Sequence, residues 1–429
     1  MSAGRNKPRF FYGWWIVVGA IVGHLVHGGM FYYGFGTYFE PLIAEFQVSR
    51  ALLSGCFSMA RLEGGILGPI GGFLSDRFGP RKTMLFGVVM MGGSFILLGR
   101  APNIGVFYLV FAMIAVGSGL AFGTTMAAAV GNWFRRKLGI AFGITQTGLG
   151  VAGLMIPFIS AAVTRYGWRT MAPVQGIIII ALGIPTALLM RHKPEQYGFL
   201  PDGDPLPDVA GSEISDSKVT VVSTGEAGFT AKEALRTPVF WLLSFVFALR
   251  LMVTVSVPVH IMPFLLDNGF PRETAASALG SIAIVSAAGR IGYGWLGDRL
   301  TKRYVVAGLL ALLSLSLLFL TQVRSLPQLF IFIAAYAPAY GGLATLMQSI
   351  RGEYFGRRSF GTISGWMTFL TMFGTVTGPW FAGYVWDTTG NYRLAFLVFA
   401  TVAFIALVMV LWAKPPAAKT TDLPERSAT

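Results

Sequence analysis

The 429-residue chain is 54% hydrophobic and only 12% charged, with a positive mean hydropathy. Soluble domains carry about twice that charged fraction, so the composition is that of an integral membrane protein. A net charge of +14 would suit nucleic acid if it were gathered on one soluble face. The lysines and arginines instead fall in short clusters between apolar runs, which read as topology signals and exclude a nucleic-acid footprint. The single cysteine, Cys56, rules out an intrachain disulfide and a zinc site built on several cysteines.

In chain order, Arg5, Lys7 and Arg9 precede an apolar stretch that resembles a signal peptide, but many further stretches follow. It is therefore read as an uncleaved first span. Twelve runs long enough to cross a bilayer are expected near 12–38, 52–75, 83–100, 104–130, 138–162, 171–190, 238–264, 275–297, 304–322, 327–349, 360–385 and 393–413. With both termini cytoplasmic, the cytoplasmic segments hold 23 of the 33 Lys and Arg residues and the outer loops 7. Arg351, Arg357 and Arg358 count among the former. That asymmetry orients the chain. The three remaining cations, Arg61, Arg250 and Arg290, lie inside spans.

Residues 191–237 are rich in Pro, Gly, Asp and Ser and lack hydrophobic periodicity. They are expected to form a cytoplasmic linker between a six-helix bundle over 1–190 and a second over 238–429, the latter ending in a short cytoplasmic tail. Thr230-Ala-Lys-Glu233 has capping-box spacing and predicts a short helix leading into Phe240 and Trp241; the rest of the linker reads as a connector without chemistry. The halves repeat. Gly72-Phe-Leu-Ser-Asp76-Arg77 returns as Gly294-Trp-Leu-Gly-Asp298-Arg299 at an offset of 222, which also maps Arg136 onto Arg358 and Pro157 onto Pro379. Two structural copies imply a cleft between them.

Gly72-Phe-Leu-Ser-Asp76-Arg77-Phe-Gly79-Pro-Arg81-Lys82 resembles the loop motif between the second and third helices of the major facilitator superfamily. Its copy at Asp298-Arg299 strengthens the match, and the four residues Asp76, Arg77, Asp298 and Arg299 are expected to form a gate, an aspartate capping a neighbouring helix amino end. Gly117-Ser-Gly119-Leu-Ala-Phe122, Trp133-Phe134-Arg-Arg136-Lys137 and Ala141, Gly143 and Gly148 are similar to the fourth-to-fifth-helix signature of monocarboxylate transporters. Pro194-Glu-Gln-Tyr197-Gly198 with Pro201-Asp-Gly203 resembles the loop of their bacterial relatives, among them oxalate/formate exchangers. The resemblance implies an all-α membrane protein of twelve helices in two pseudo-symmetric bundles. It also implies that the arginine of Arg290-x-x-x-Gly294-x-x-x-Asp298 binds the substrate carboxylate. Two departures stand out: Tyr33 aligns where the animal transporters carry a lysine, and residues 360–385 lack the exchanger's second cation.

The chemistry agrees with that reading. Arg290 precedes Asp298 by eight residues, which places it ~12 Å deeper along one helix, where a cation is costly and usually faces a cavity. A guanidinium takes a carboxylate through two parallel hydrogen bonds and stays charged. Arg250 is either a second carboxylate ligand or an orienting cation held by its neighbours. Tyr340, Tyr33, Thr124 and Thr125 fall on cleft-lining helices of the superfamily as hydrogen-bond donors or as packing residues. Glu63 is the only acid inside a span, paired structurally with Arg61 or Arg250, or carrying a proton; Asp267 at the outer mouth is the other proton candidate, with His24, His27 and His260 behind them.

No phosphate loop, zinc-binding His pair or nucleophile elbow occurs, so neither enzyme activity nor a metal or cofactor is expected. Three functions remain open: a proton-coupled symporter of lactate- or pyruvate-like monocarboxylates, acting as a monomer in the plasma membrane or bacterial inner membrane; an exchanger of small dicarboxylates; and a non-transporting sensor.

Overall fold

The computed structural model describes residues 11–48, 50–204 and 228–416, and within 50–63 the side chain of Leu53 alone. Each expected apolar run forms a helix or a nearly continuous stack of helical segments, since in hydrocarbon the backbone must satisfy its own hydrogen bonds. In order they are α1 (Gly13–Phe46), α2 (Arg50–Phe78), α3 (Pro80–Leu98), α4 (Ile104–Trp133), α5 (Leu138–Tyr166), α6 (Trp168–Leu189), α7 (Pro238–Asp267), α8 (Arg272–Arg299), α9 (Lys302–Leu320), α10 (Leu326–Phe355), α11 (Phe360–Thr389) and α12 (Arg393–Trp412). Ten of these are long and apolar enough to cross a membrane; the other two, α2 and α11, are of similar length and pack on each other. Local signals fix the starts. Asn103 Oδ1 accepts the Val106 N–H at 2.9 Å ahead of α4, Ser325 and Gln328 form a capping box ahead of α10, and Pro80 and Pro238 open α3 and α7.

Three spans of the first half are interrupted near mid-depth. α1 is regular to Val26, takes a π turn over His27–Tyr32 and a 3₁₀ turn over Gly34–Tyr38. A methyl group on Gly34 would lie 1.9 Å from the Gly29 carbonyl oxygen, so this bend requires glycine. α4 breaks at Gly123 and α5 at Gly153–Met155. Such breaks re-aim side chains, and here they flank the centre of the molecule.

Two hydrophobic cores form, one from α1 to α6 together with Phe360, the other from Ala234 to Ala413. They meet through glycines. A methyl on Gly72 of α2 would sit 2.0 Å from the Gly361 carbonyl oxygen of α11, and one on Gly294 of α8 would sit 2.5 Å from the Gly139 carbonyl oxygen of α5. These two crossings are related by the 222-residue offset, so the sequence repeat is also a repeat of interhelical contacts. Backbones approach this closely only where side chains are absent.

The expected helix of the linker is Ala231–Leu235, with the capping box of Thr230 and Glu233 formed and Trp241 Nε1 donating to the Leu235 carbonyl at 2.9 Å. Two differences from expectation matter. α1 extends eight residues beyond its predicted end. α10 runs to Phe355 and so takes in Arg351, which is 6% exposed within the helix rather than in a basic turn. Its guanidinium rests 4.7 Å over the Phe247 ring of α7, and this packing carries the helix through the charged stretch.

Candidate functional site

The two aspartates of the repeated motif bridge the halves. Asp298 accepts the N–H of Gly139 at 2.6 Å through Oδ1 and that of Ile140 at 2.9 Å through Oδ2. Asp76 accepts the N–H of Gly361 at 3.0 Å, that of Thr362 at 2.8 Å and the Thr362 hydroxyl at 2.8 Å. Each carboxylate therefore sits on the unpaired N–H groups that open a helix of the opposite half, where the helix dipole favours negative charge. Residues 139 and 140 map onto 361 and 362 by the same offset, so the bridge is reciprocal. Arg77 and Arg299 do not pair with these aspartates. Arg77 lies 5.5 Å from the Phe78 ring and Arg299 3.9 Å from the Trp295 ring. The bridge is made mainly by carboxylate and backbone, with the Thr362 hydroxyl on Asp76 and Lys302 Nζ 3.9 Å from Asp298; Arg77 and Arg299 sit against aromatic faces beside it.

Deeper, Arg290 is 8% exposed and reaches from α8 to α5, where Nη1 donates to the Gln146 carbonyl at 2.5 Å. Its Nε is buried without a partner. Glycine makes room: a methyl on Gly143 would be 2.5 Å from the Arg290 carbonyl oxygen, and one on Gly150 3.4 Å from Nη1. Tyr33, at the end of the π turn, and Tyr340 on α10 lie close enough for Tyr33 to interact electrostatically with both Tyr340 and Arg290. Arg250, also 8% exposed, donates a long 3.4 Å bond to the Tyr340 carbonyl and lies within electrostatic reach of Arg290. Among the described residues no carboxylate forms an ion pair with Arg250 or Arg290. The structure thus gathers Arg290, Arg250, Tyr33 and Tyr340 into one central cluster.

Other sequence candidates lie elsewhere. Thr125 is fully buried and donates its hydroxyl at 2.7 Å to Leu120 of its own helix, so it is a packing residue in this geometry. Thr124 makes a marginal 3.5 Å bond to the Gly68 carbonyl of α2. Asp267 accepts from Trp386 Nε1 at 3.1 Å at the end of the second half remote from the gate. The side chains of Arg61 and Glu63 lie outside the described residues.

Residues 20–323 and 262–428 match the family model of the Major Facilitator Superfamily. The chain belongs to that superfamily. Monocarboxylate transporter 12 of Xenopus laevis is 25% identical over 92% of this chain and 87% of its own length. The oxalate:formate antiporter of Oxalobacter formigenes is 24% identical over 96% and 93%. Among solved structures, the human organic anion transporter MFSD10 superposes with a TM-score of 0.70 at 15% identity, covering 94% of this chain and all of that one. The transporter FucP in its outward conformation gives 0.69, also at 15%. These last two establish the fold of a superfamily transporter.

Within this superfamily fold, two features escaped the sequence reading. The linker is pinned across the gate: Asp202 accepts the N–H groups of Arg135, Arg136 and Lys137 at 2.8–3.3 Å, and Glu195 pairs with Arg357 at 2.6 Å across the halves. The loop motif Pro194–Gly203 is therefore a strap, and its positive-φ positions Gly198 and Gly203 shape it. A small cavity with His24, Thr145, Gln146 and Gln348 as its polar lining also adjoins Gln146, whose carbonyl Arg290 holds. Its glutamines are uncharged, and glutamine inside an apolar run was the only cue they offered in the sequence.

Asp298→Asn turns one acceptor into a donor facing a backbone N–H. Loss of a charge-assisted bond costs about 1.5–3 kcal/mol, enough to move the open-to-closed ratio at this end ~10-fold or more. Spin-label distances between the motif ends of α5 and α8 should lengthen in Asp298→Asn, and those between α2 and α11 in Asp76→Asn. Unaltered distributions would contradict the bridge.

Proposed function

We propose that this chain is a secondary transporter of small monocarboxylates of the lactate or pyruvate kind, coupled to protons and working by alternating access. The observation that carries the reading is Arg290, buried between the halves with Nη1 held by Gln146 and the rest of its fork free of any protein carboxylate among the described residues. A free guanidinium edge in a low-dielectric cleft selects a planar carboxylate through paired hydrogen bonds. Tyr33 and Tyr340 are assigned the substrate's remaining oxygens, and Thr124, hydrogen-bonded to Gly68 apart from this cluster, is left as a lesser candidate. The names of the monocarboxylate and oxalate:formate relatives support an organic-anion cargo.

We take residues 1–190 and 238–429 as the two rocking bodies, joined by 191–237, with both termini cytoplasmic by the distribution of basic residues. On that orientation the closed aspartate bridges lie at the cytoplasmic end and the molecule faces outward. A single chain carries both halves of the cleft, so a monomer in the plasma membrane or bacterial inner membrane suffices. Asp267, held by Trp386 away from the central cluster, is poorly placed to carry the coupled proton, which leaves Glu63 as the carboxylate candidate within a span. A second reading, exchange of small dicarboxylates, is favoured by Arg250, whose charge has no carboxylate partner among the described residues and which would take the second carboxylate.

Proteoliposomes under an imposed pH gradient test both. External acid should accelerate lactate uptake; oxalate counterflow without pH dependence points to the exchanger, and ligand binding without flux to a sensor. Arg290→Lys removes the fork while keeping the charge, and truncating such a buried contact costs about 2–5 kcal/mol, so kcat/KM should fall ~30-fold or more. Near-normal uptake by folded Arg290→Lys protein defeats the assignment. Glu63→Gln should spare counterflow and abolish proton-driven accumulation, and unchanged accumulation removes Glu63 from the coupling.

A further inference from the structure

Arg351 stands one turn before the end of α10, where a long cationic side chain ordinarily reaches outward to water. It turns inward instead. Its guanidinium lies over Phe247, nine residues into α7, and only 6% of the residue is exposed. Nη1 donates at 3.1 Å to Gln348 Oε1, Nε is buried without a partner, and among the described residues no carboxylate pairs with it. The 222-residue offset places Ala129 at the matching position of the first half, so this cation, like Arg290 opposite Gly68, belongs to the second half alone.

A guanidinium only donates, so the side of the Gln348 amide that faces Arg351 must be its oxygen. The two amide N–H donors are left for the other side. Gln348 lines the cavity between the halves together with His24, Thr145 and Gln146. The lining runs from Gln146, whose carbonyl Arg290 holds, down to Phe142, one turn from the Asp298 bridge at Gly139. The space therefore lies on the gate side of Arg290, one hydrogen bond from Arg290 through Gln146 and one from Arg351 through Gln348. At about 40 Å³ the space holds a few water-sized groups in this closed arrangement, and an anion enters it only as the gate end opens.

We propose that this cavity is an inner carboxylate site, in which the Gln348 amide, oriented by Arg351, receives the anion released by Arg290 as the gate end opens. Arg351 is the positioning residue and Gln348 the contact. The site rests on the carboxylate reading above and adds to it a sidedness: the two faces of the carrier present different ligands to the same anion. An anion entering from the gate side meets Gln348 first, and one entering from the opposite side meets Arg290 first.

The test is zero-trans transport of labelled lactate in proteoliposomes of known orientation, measured separately from each side. Gln348→Glu retains a partner for Arg351, and so keeps the local packing, while replacing the donors with a negative charge. Arg351→Leu removes the positioning group. Both should raise the ratio of gate-side KM to opposite-side KM by ~10-fold or more, as expected for loss of a hydrogen bond to a charged group, and Gln348→Asn should restore part of it. A purely structural role for Arg351 would change both KM values together or lower only the amount of folded protein. A ratio within twofold of wild type in Gln348→Glu overturns the inner site. Failure of the wild-type protein to move any carboxylate overturns instead the transport reading on which it stands.

Discussion

The structure depends on two carboxylates seated on the amino ends of helices that belong to the other half. Asp76 holds the start of α11 and Asp298 the start of α5, and glycines at 72, 139, 294 and 361 let the backbones come close enough for those bonds to form. The interaction is strong because it joins a charge to a dipole, and local because it reaches only the first turn. It is also separable: five hydrogen bonds can be exchanged for water when the end opens. The proposed gate, which must close firmly and still open, is well served by such a contact.

Against that symmetry, the cations are arranged asymmetrically. Arg290 and Arg351 occupy positions whose first-half equivalents are Gly68 and Ala129, and Arg250 lies with them in the second half. Gly68 shows what the repeat does without the charge: it packs against Gly365, just as Gly143 packs against the backbone of Arg290. The shared backbone contact has thus been kept on both sides, and a guanidinium has been added on one. The first half answers with bends rather than charges: the π turn that presents Tyr33, the break at Gly123 beside the cavity, and the Gln146 carbonyl that holds Arg290. On the proposed reading, one half supplies the anion ligand and the other shapes the space around it.

Much of this was legible in the chain. The helices followed from apolar runs of bilayer length, and the reciprocal aspartate bridges fall on a motif repeated at constant offset, because both are written in consecutive residues. Residues whose role is decided by another helix were harder to read. Arg351 looks like part of a basic turn until Phe247 draws it inward, and Thr125 looks like a cleft donor until its hydroxyl is found on Leu120. Asp202 and Glu195 sit in a segment without periodicity, and their meaning comes from N–H groups and a cation 65 or more positions away. Gln146 and Gln348 are uncharged, so a search for intramembrane cost passes over them, although they connect the two arginines to the cavity.

The central claim is that a carboxylate charge is recognised at Arg290. Equilibrium binding of labelled lactate to the purified protein in nanodiscs, competed with unlabelled lactate and with lactamide, tests it most directly. Lactamide has nearly the same shape and no charge, so it cannot use the guanidinium fork as an ion pair. The account predicts displacement by lactate and little by lactamide at a hundredfold excess. Equal competition by the two would show that shape alone is read, and would contradict the role given to Arg290.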